Sequence, residues 1–209
     1  MSVSLNEVEA LARRAARGAG YTWGQAEEAG KAARWLCAQG LDGCAALARL
    51  LEQGLQEAPQ AHRPGSTDRT WESDDGLCPL SAGPLLSDAA FLLEEGPIAM
   101  KEVYEPLLLL PFAACAARRL HSAVTLEIDR LTIRTDGHRL DAPEGFPEVA
   151  QGAVIARGGA PRAPRPLQSR AHPAPEAWES LNAFAHRTYA PATEDSRRRG
   201  AGAGLFDND

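Results

Sequence analysis

Lysine is almost missing from this chain: Lys31 and Lys101 are the only two among 22 basic residues. Positive charge is therefore carried by arginine, whose planar fork suits bidentate binding of carboxylate or phosphate. The arginine total also fits codon bias in a GC-rich genome, as do the alanines and glycines, but that leaves the local arginine clusters unexplained. Basic residues are outnumbered by acidic ones, 22 against 28, for a net charge of −6. That balance argues against nucleic acid as a bulk electrostatic partner, since a phosphate backbone needs a basic surface. It leaves room for a local basic pocket. Cysteine is sparse: Cys37, Cys44, Cys78 and Cys115 are too few and too scattered for a disulfide scaffold. Long hydrophobic runs are absent too. The longest, 106–117, is too short to span a bilayer and is broken by Pro111. No apolar leader opens the chain, because residues 1–17 carry Glu7, Glu9, Arg13, Arg14 and Arg17 in an amphipathic pattern. These absences point to a reduced, cytoplasmic setting with no membrane and no nucleic acid. There is no G-x-S-x-G elbow, no H-E-x-x-H and no zinc-finger spacing, so serine hydrolase and zinc readings have no sequence support.

What is present is an ordinary globular composition, 44% hydrophobic and 24% charged over 209 residues, enough for one good core. Residues 1–56 read as three helices. Ser4 with Glu7, and Thr22 with Gln25, are capping boxes. Leu5, Val8, Leu11, Ala12 and Ala15 form the first apolar stripe, and Gly18 or Gly20 stops that helix. The second runs from Trp23 to Gln39 with small residues, Ala26, Ala29, Gly30 and Ala33, on a face that admits close packing. Asp42 caps the third. Residues 57–76 read as a mobile polar loop with Trp71 anchoring it back. Residues 77–158 read as mixed: Pro84–Leu93 as a short helix or irregular segment, Ile98–Tyr104 as a strand, and a helix opened by Pro111 and running to Leu120. Strands at Val124–Ile128 and Leu131–Thr135 are joined by a tight Asp129-Arg130 turn. Residues 159–175 form a Pro/Arg-rich connection, and 176–209 a C-terminal helix and glycine-rich tail. The expectation is a single α+β domain over 1–209. In it an N-terminal helical subdomain packs on a small, mostly antiparallel sheet, and the C-terminal helix and tail return to the N-terminal helices.

The string Arg-Gly-Ala-Gly occurs twice, at 17–20 and 199–202. Glycine beside clustered arginine can expose backbone N–H groups next to positive charge, which holds small anions. It is also how Arg-rich helices commonly end. Gly18-x-Gly20-x-x-x-Gly24 superficially resembles a phosphate loop, but a helix precedes it and Gln25 stands where lysine would. A carboxylate or phosphate site here would use Arg13, Arg17, Gly18 and Gly20 with Arg197, Gly200, Gly202 and Gly204 of the tail. The terminal Asp207, Asn208 and Asp209 would suit a hard cation or form a solvated acidic end.

For proton transfer the candidates are Glu28, His186 and Tyr189. Glu28 borders the small-residue seam, where burial would raise its pKa, whereas Glu27 pairs with Lys31 at helical spacing. His186 near Tyr189, with Asn182 four residues earlier, can be an oriented imidazole or simply a favourable helix-end histidine. Among the thiols, Cys37, Cys44 and Cys115 read as core residues, and Cys78 as the one to test as a nucleophile.

The stretch Asn6 to Gly20, with Trp23-Gly24 and Ala26 to Gly30, resembles a family of bacterial proteins of unknown function, DUF3726. So do Leu107 to Phe112 and the terminal run from Thr188 to Asp209. The resemblance implies no reaction and leaves any cofactor open. Two functional expectations stand. One is a metabolic enzyme or binding protein for a small anionic ligand. The other is an accessory subunit, or a homo-oligomer, docking through its small-residue helix or an apolar patch at Trp23 or Trp35.

Overall fold

A computed structural model of the chain describes residues 1–189. The expected helices form where their caps place them. Strand β1 (Val3–Ser4) leads into α1 (Leu5–Ala19), with Ser4 and Glu7 closing the capping box and Gly20, at φ 110°, ending the helix in the left-handed region. Thr22 and Gln25 close the second box at the head of α2 (Trp23–Ala38), and the Asp42 carboxylate accepts from Ala45 N–H at the head of α3 (Gly43–Glu52). The small-residue face of α2 does admit a close neighbour. A Cβ on Gly30 would lie 2.9 Å from the Glu9 carbonyl oxygen of α1.

Residues 57–76 are mostly exposed and are anchored at Trp71, as expected. Trp71 is fully buried, and its indole N–H donates to the Asp68 carbonyl at 2.8 Å. Thr70–Trp71 forms β2, a strand that the polar composition hid. The buried His62 bonds through Nδ1 to the Gly76 carbonyl at 2.9 Å. Helices α4 (Pro79–Asp88) and α5 (Leu92–Glu95) follow, then β3 (Ile98–Tyr104), a 3-10 turn (Pro106–Leu109) and α6 (Leu110–Arg119). The hairpin of β4 (Val124–Ile128) and β5 (Leu131–Thr135) lies where alternation predicts it. Strand β6 (Leu140–Asp141) extends it, and β7 (Val149–Arg157) lies between β3 and β4. Strand β8 (Arg170–Ala171) pairs with β1, and α7 (Pro175–His186) opens on Pro175 at its first position.

The architecture is α+β. The main sheet has the order β2-β3-β7-β4-β5-β6. It is antiparallel throughout except for the β2–β3 pair, with its buried residues (Ile98, Met100, Leu126, Ile133, Ile155) joining the helical core. Helix α7 returns to pack on α1 and α3. The contact with α1 is made at Gly18: a Cβ there would stand 1.8 Å from the Phe184 carbonyl oxygen. Gly18 is thus the point where two helix backbones touch.

One ion pair ties the helical layer to the sheet. Glu105, between β3 and the 3-10 turn, is 2% exposed in its side chain. Its two carboxylate oxygens accept from Arg49 of α3, from Nε at 2.6 Å and from the terminal nitrogen at 2.8 Å. Burial pushes the Glu105 carboxyl above its ordinary value, Arg49 pulling the other way, and the same pair raises the Arg49 guanidinium.

Two outcomes test this packing. Gly18→Ala should cost about 3 kcal/mol, the upper range for forced overpacking. Gly24→Ala, where a Cβ meets nothing within 4 Å, should be neutral or stabilising by about 0.5 kcal/mol. Urea midpoints of the two variants decide it, and equal midpoints would refute the close helix contact. Arg49→Met should cost about 2–3 kcal/mol at neutral pH, on the low side for breaking a buried pair because Arg49 is partly exposed. A raised folded-state carboxyl stabilises the fold below its unfolded value, near 4.5, and that contribution is lost as pH rises through the folded value. The deficit of Arg49→Met relative to the parent should therefore shrink as pH falls from about 7 toward about 5. An unchanged deficit would show that the stranded carboxylate is not its source.

Candidate functional site

The sequence-predicted residues divide between two regions. Arg13 pairs with Glu27 at 3.0 Å. Arg17 donates to the Tyr21 carbonyl, and its guanidinium lies 4.5 Å over the Trp23 ring. Gly18 and Gly20 serve the α1–α7 contact and the α1 cap, as above. His186 is exposed and stands edge-on to Tyr189 at 5.0 Å, and the Tyr189 hydroxyl accepts from Arg14 at 3.1 Å. Asn182 does not orient His186, because its side-chain amide donates back to the Trp178 carbonyl at 2.8 Å. Arg197, Gly200, Gly202, Gly204 and the Asp207–Asp209 end lie outside the described residues, and with them the proposed meeting of the two Arg-Gly-Ala-Gly strings.

Of the predicted residues, Glu28 faces the cleft between α2, α4 and α6, while Arg13 and Gly20 line other, separate hollows. The Glu28 carboxylate, and not that of Glu27, takes the Lys31 ammonium, at 2.8 Å, because Glu27 is turned to Arg13 across the α1–α2 seam. This bond holds the Lys31 ammonium above its ordinary value. The cavity is an open cleft of about 750 Å³ between α2, α4 and α6. Helical spacing builds each wall: Thr22, Gln25, Glu28 and Lys31 at intervals of three, Ser81 and Pro84 with Ser87 and Asp88, and Cys115 with Arg118 and Arg119. Pro84 cannot return a hydrogen bond to the Leu80 carbonyl, and it sits on the wall facing the cleft. Neither His186 nor Tyr189 lines this space.

Three cations face the cleft. Lys31 is taken by Glu28, and Arg119 by Asp88 at 3.0 Å. Arg118 differs: its guanidinium donates to the Gly137 carbonyl at 2.5 Å and to Cys115 Sγ at 2.9 Å, and no carboxylate pairs with it among the described residues. Cys115, expected in the core, is half-buried on this wall. Sequence reasoning missed Ser81, Cys115, Arg118 and Arg119. A basic pair in the last turn of a helix is favourable whatever it faces, so only the placement of α6 against α4 gives it a second meaning.

The Gln25 amide donates to Ser81 Oγ at 3.3 Å and separates the cleft from a smaller cavity of about 60 Å³ beside Tyr21, His62 and Cys78. The Tyr21 hydroxyl lies 3.5 Å from Cys78 Sγ. Cys78, the thiol singled out for testing as a nucleophile, is 2% exposed, and burial pushes its thiol above the ordinary value. Among the described residues no cluster of three His, Cys, Asp or Glu could hold a metal ion, and no helix is long and apolar enough to cross a membrane.

The fold and the cleft define an α+β protein with an open cavity, bearing charged and polar side chains, at the junction of three helices. Over residues 3–81 the chain matches the family described as Protein of unknown function (DUF3726), the family its N-terminal residues resemble. The matched segment holds α1, α2, α3 and the first turn of α4, and so the Thr22–Lys31 wall and Ser81. No curated protein matches the chain.

The half-buried position of Cys115 gives an outcome for a thiol reagent. Iodoacetamide should modify Cys115 well ahead of Cys37, Cys44 and Cys78 in the native protein, and all four in denaturant, read by peptide mapping. Earlier modification of Cys78 would contradict the burial described.

Proposed function

We propose that this protein binds a small organic anion, a carboxylate or phosphate, in the cleft between α2, α4 and α6. The observation that carries the reading is Arg118, a guanidinium on the wall of this open cleft with uncharged protein partners. A ligand anion there would gain a charge-assisted bond without displacing a protein carboxylate. The first turn of α4 adds support. No side-chain oxygen caps it, and a helix start of this length favours negative charge. Lys31 and Arg119 flank the cavity, and their own carboxylates offset them, which suits a ligand carrying both charge and neutral polar groups. Glu28 stands on the same wall as the candidate proton acceptor, with Ser81 and Gln25 as orienting groups. His186 and Tyr189 belong to a different surface and play no part.

Trp23, 70% exposed beneath Arg17, favours a second reading in which the α1–α2 corner docks on a partner protein. The two are separable. A thermal-shift screen of the full chain against phosphates and mono- and dicarboxylates should yield a ligand that raises the melting temperature. At about 100-fold above Kd the stabilisation is about 2.7 kcal/mol, or about 5–10 °C for a chain of this size. Arg118→Gln should remove most of that shift, measured against the variant's own unliganded transition, whereas Trp23→Ala should leave it intact. A shift that survives Arg118→Gln would place the ligand elsewhere, and no shift from any anion would overturn the reading.

A further inference from the structure

The cavity of about 60 Å³ beside the cleft gathers buried polar groups that the anion reading leaves unused. The turn between α1 and α2 brings Tyr21 to it, the 3-10 turn Leu55–Glu57 and the segment after it bring Gln56 and His62, and the head of α4 brings Cys78 and Ser81. Tyr21 and Cys78 are each 2% exposed, and His62 is 8% exposed. His62 is pinned on two sides. Its Nδ1 lies 2.9 Å from the Gly76 carbonyl oxygen, and its own carbonyl accepts from the Cys78 N–H at 2.8 Å. A carbonyl only accepts, so Nδ1 carries the hydrogen and Nε2 of the neutral ring presents a lone pair. Among the described residues no group bonds to that Nε2. The side-chain oxygen of Gln56 is buried, and it too has no hydrogen-bond partner among them. Two acceptors without donors thus border one small space. Hydroxyl groups stand beside them. Tyr21 Oη lies 3.5 Å from Cys78 Sγ, so the thiol can donate to the phenol oxygen and leave the phenol hydrogen to be given elsewhere. Ser81 Oγ accepts from the Gln25 amide and keeps its own hydrogen.

We propose that this cavity binds a small primary amide. The two N–H hydrogens of the amide serve the Gln56 oxygen and His62 Nε2, and its carbonyl oxygen accepts from the Tyr21 hydroxyl. The lining selects this class. It holds no carboxylate and no lysine or arginine, so a buried ammonium or carboxylate would stand without a counter-charge. An anion would in addition face two lone pairs. An apolar guest would leave both acceptors without donors. Size points the same way. A cavity of about 150 Å³ takes the ring of benzene, and in proportion about 60 Å³ takes two or three non-hydrogen atoms, roughly one carboxamide group. Leu55 and Pro59, also on the lining, give apolar contact to the carbon attached to it. The Gln25–Ser81 bond stands between this cavity and the larger cleft, and the inference does not depend on the anion proposed there.

Acetamide, titrated into the native full chain and followed through the NMR signals of the His62 ring and the Tyr21 ring, tests it. Both signals should shift saturably with a Kd of about 1 mM, within the affinity ceiling for so few non-hydrogen atoms. N,N-dimethylacetamide, which has no N–H, and acetate should leave both signals in place at the same concentrations. Gln56→Met keeps the side-chain length and removes the acceptor, and it should weaken acetamide by about fivefold or more. Arg118→Gln, which alters the larger cleft, should leave acetamide binding unchanged. The comparison of the three probes on the unaltered chain needs no variant, so a variant that fails to fold does not blur the answer. No saturable shift with acetamide, an equal response to N,N-dimethylacetamide, full affinity in a folded Gln56→Met, or loss of binding in Arg118→Gln would each overturn the inference.

Discussion

The pairing of Arg49 with Glu105 is the constraint on which the rest of the structure leans. A carboxylate at 2% exposure cannot stay charged in an apolar layer without a cation and directed donors. A guanidinium reaching across from α3 supplies both, with two parallel N–H bonds. The bond therefore sets where α3 stands relative to the β3–α6 junction. Helix α2 is set in turn, because Gly43 at the head of α3 is closed against Ala33 and Leu36. Once α2 is placed, its Thr22–Lys31 face becomes one wall of the cleft.

Much of the remaining order comes from contacts that permit little slack. Gly30 and Gly18 let α1 touch α2 and α7 at backbone distance, and α7 closes over α1 and α3. Arg165 performs a similar service for the connection that precedes α7. Its Nε donates to the Gln39 carbonyl at 2.9 Å and a terminal nitrogen donates to Gly40 at 3.0 Å, which satisfies the open end of α2. The arginine richness that first suggested anion binding is thus largely spent on the protein's own carbonyls and carboxylates. Arg118 differs among the cleft-lining cations because its partners are a carbonyl and a sulfur.

The starts of the helices of residues 1–56 were legible in the chain, since capping residues, glycine stops and apolar stripes are local and the same groups are used in the fold. The β4–β5 hairpin and the Pro175 start of α7 were legible for the same reason. Strand β2 was not. It has two residues in a polar segment, and it exists because β3 offers an edge and the core accepts Trp71. The burial of Cys78 behind Gln25 and Ser81 was equally hidden, because a cysteine beside a proline in a loop-like sequence carries no mark of what will cover it. The exchange of partners between Glu27 and Glu28 shows the same limit. Spacing within one helix predicts Glu27 with Lys31, but a neighbouring helix that presents Arg13 outbids that local choice.

By itself the sequence determined the N-terminal helices, the β4–β5 hairpin and the start of α7, and that the chain builds an α+β core. It could do so because those outcomes rest on groups a few residues apart. Only the tertiary structure decided which polar side chains face a common cavity, which arginine is left with uncharged partners, and which cysteines are covered. Those depend on distances between elements, and such distances are set by close backbone contacts and one buried ion pair, whose partners lie 56 residues apart in the chain.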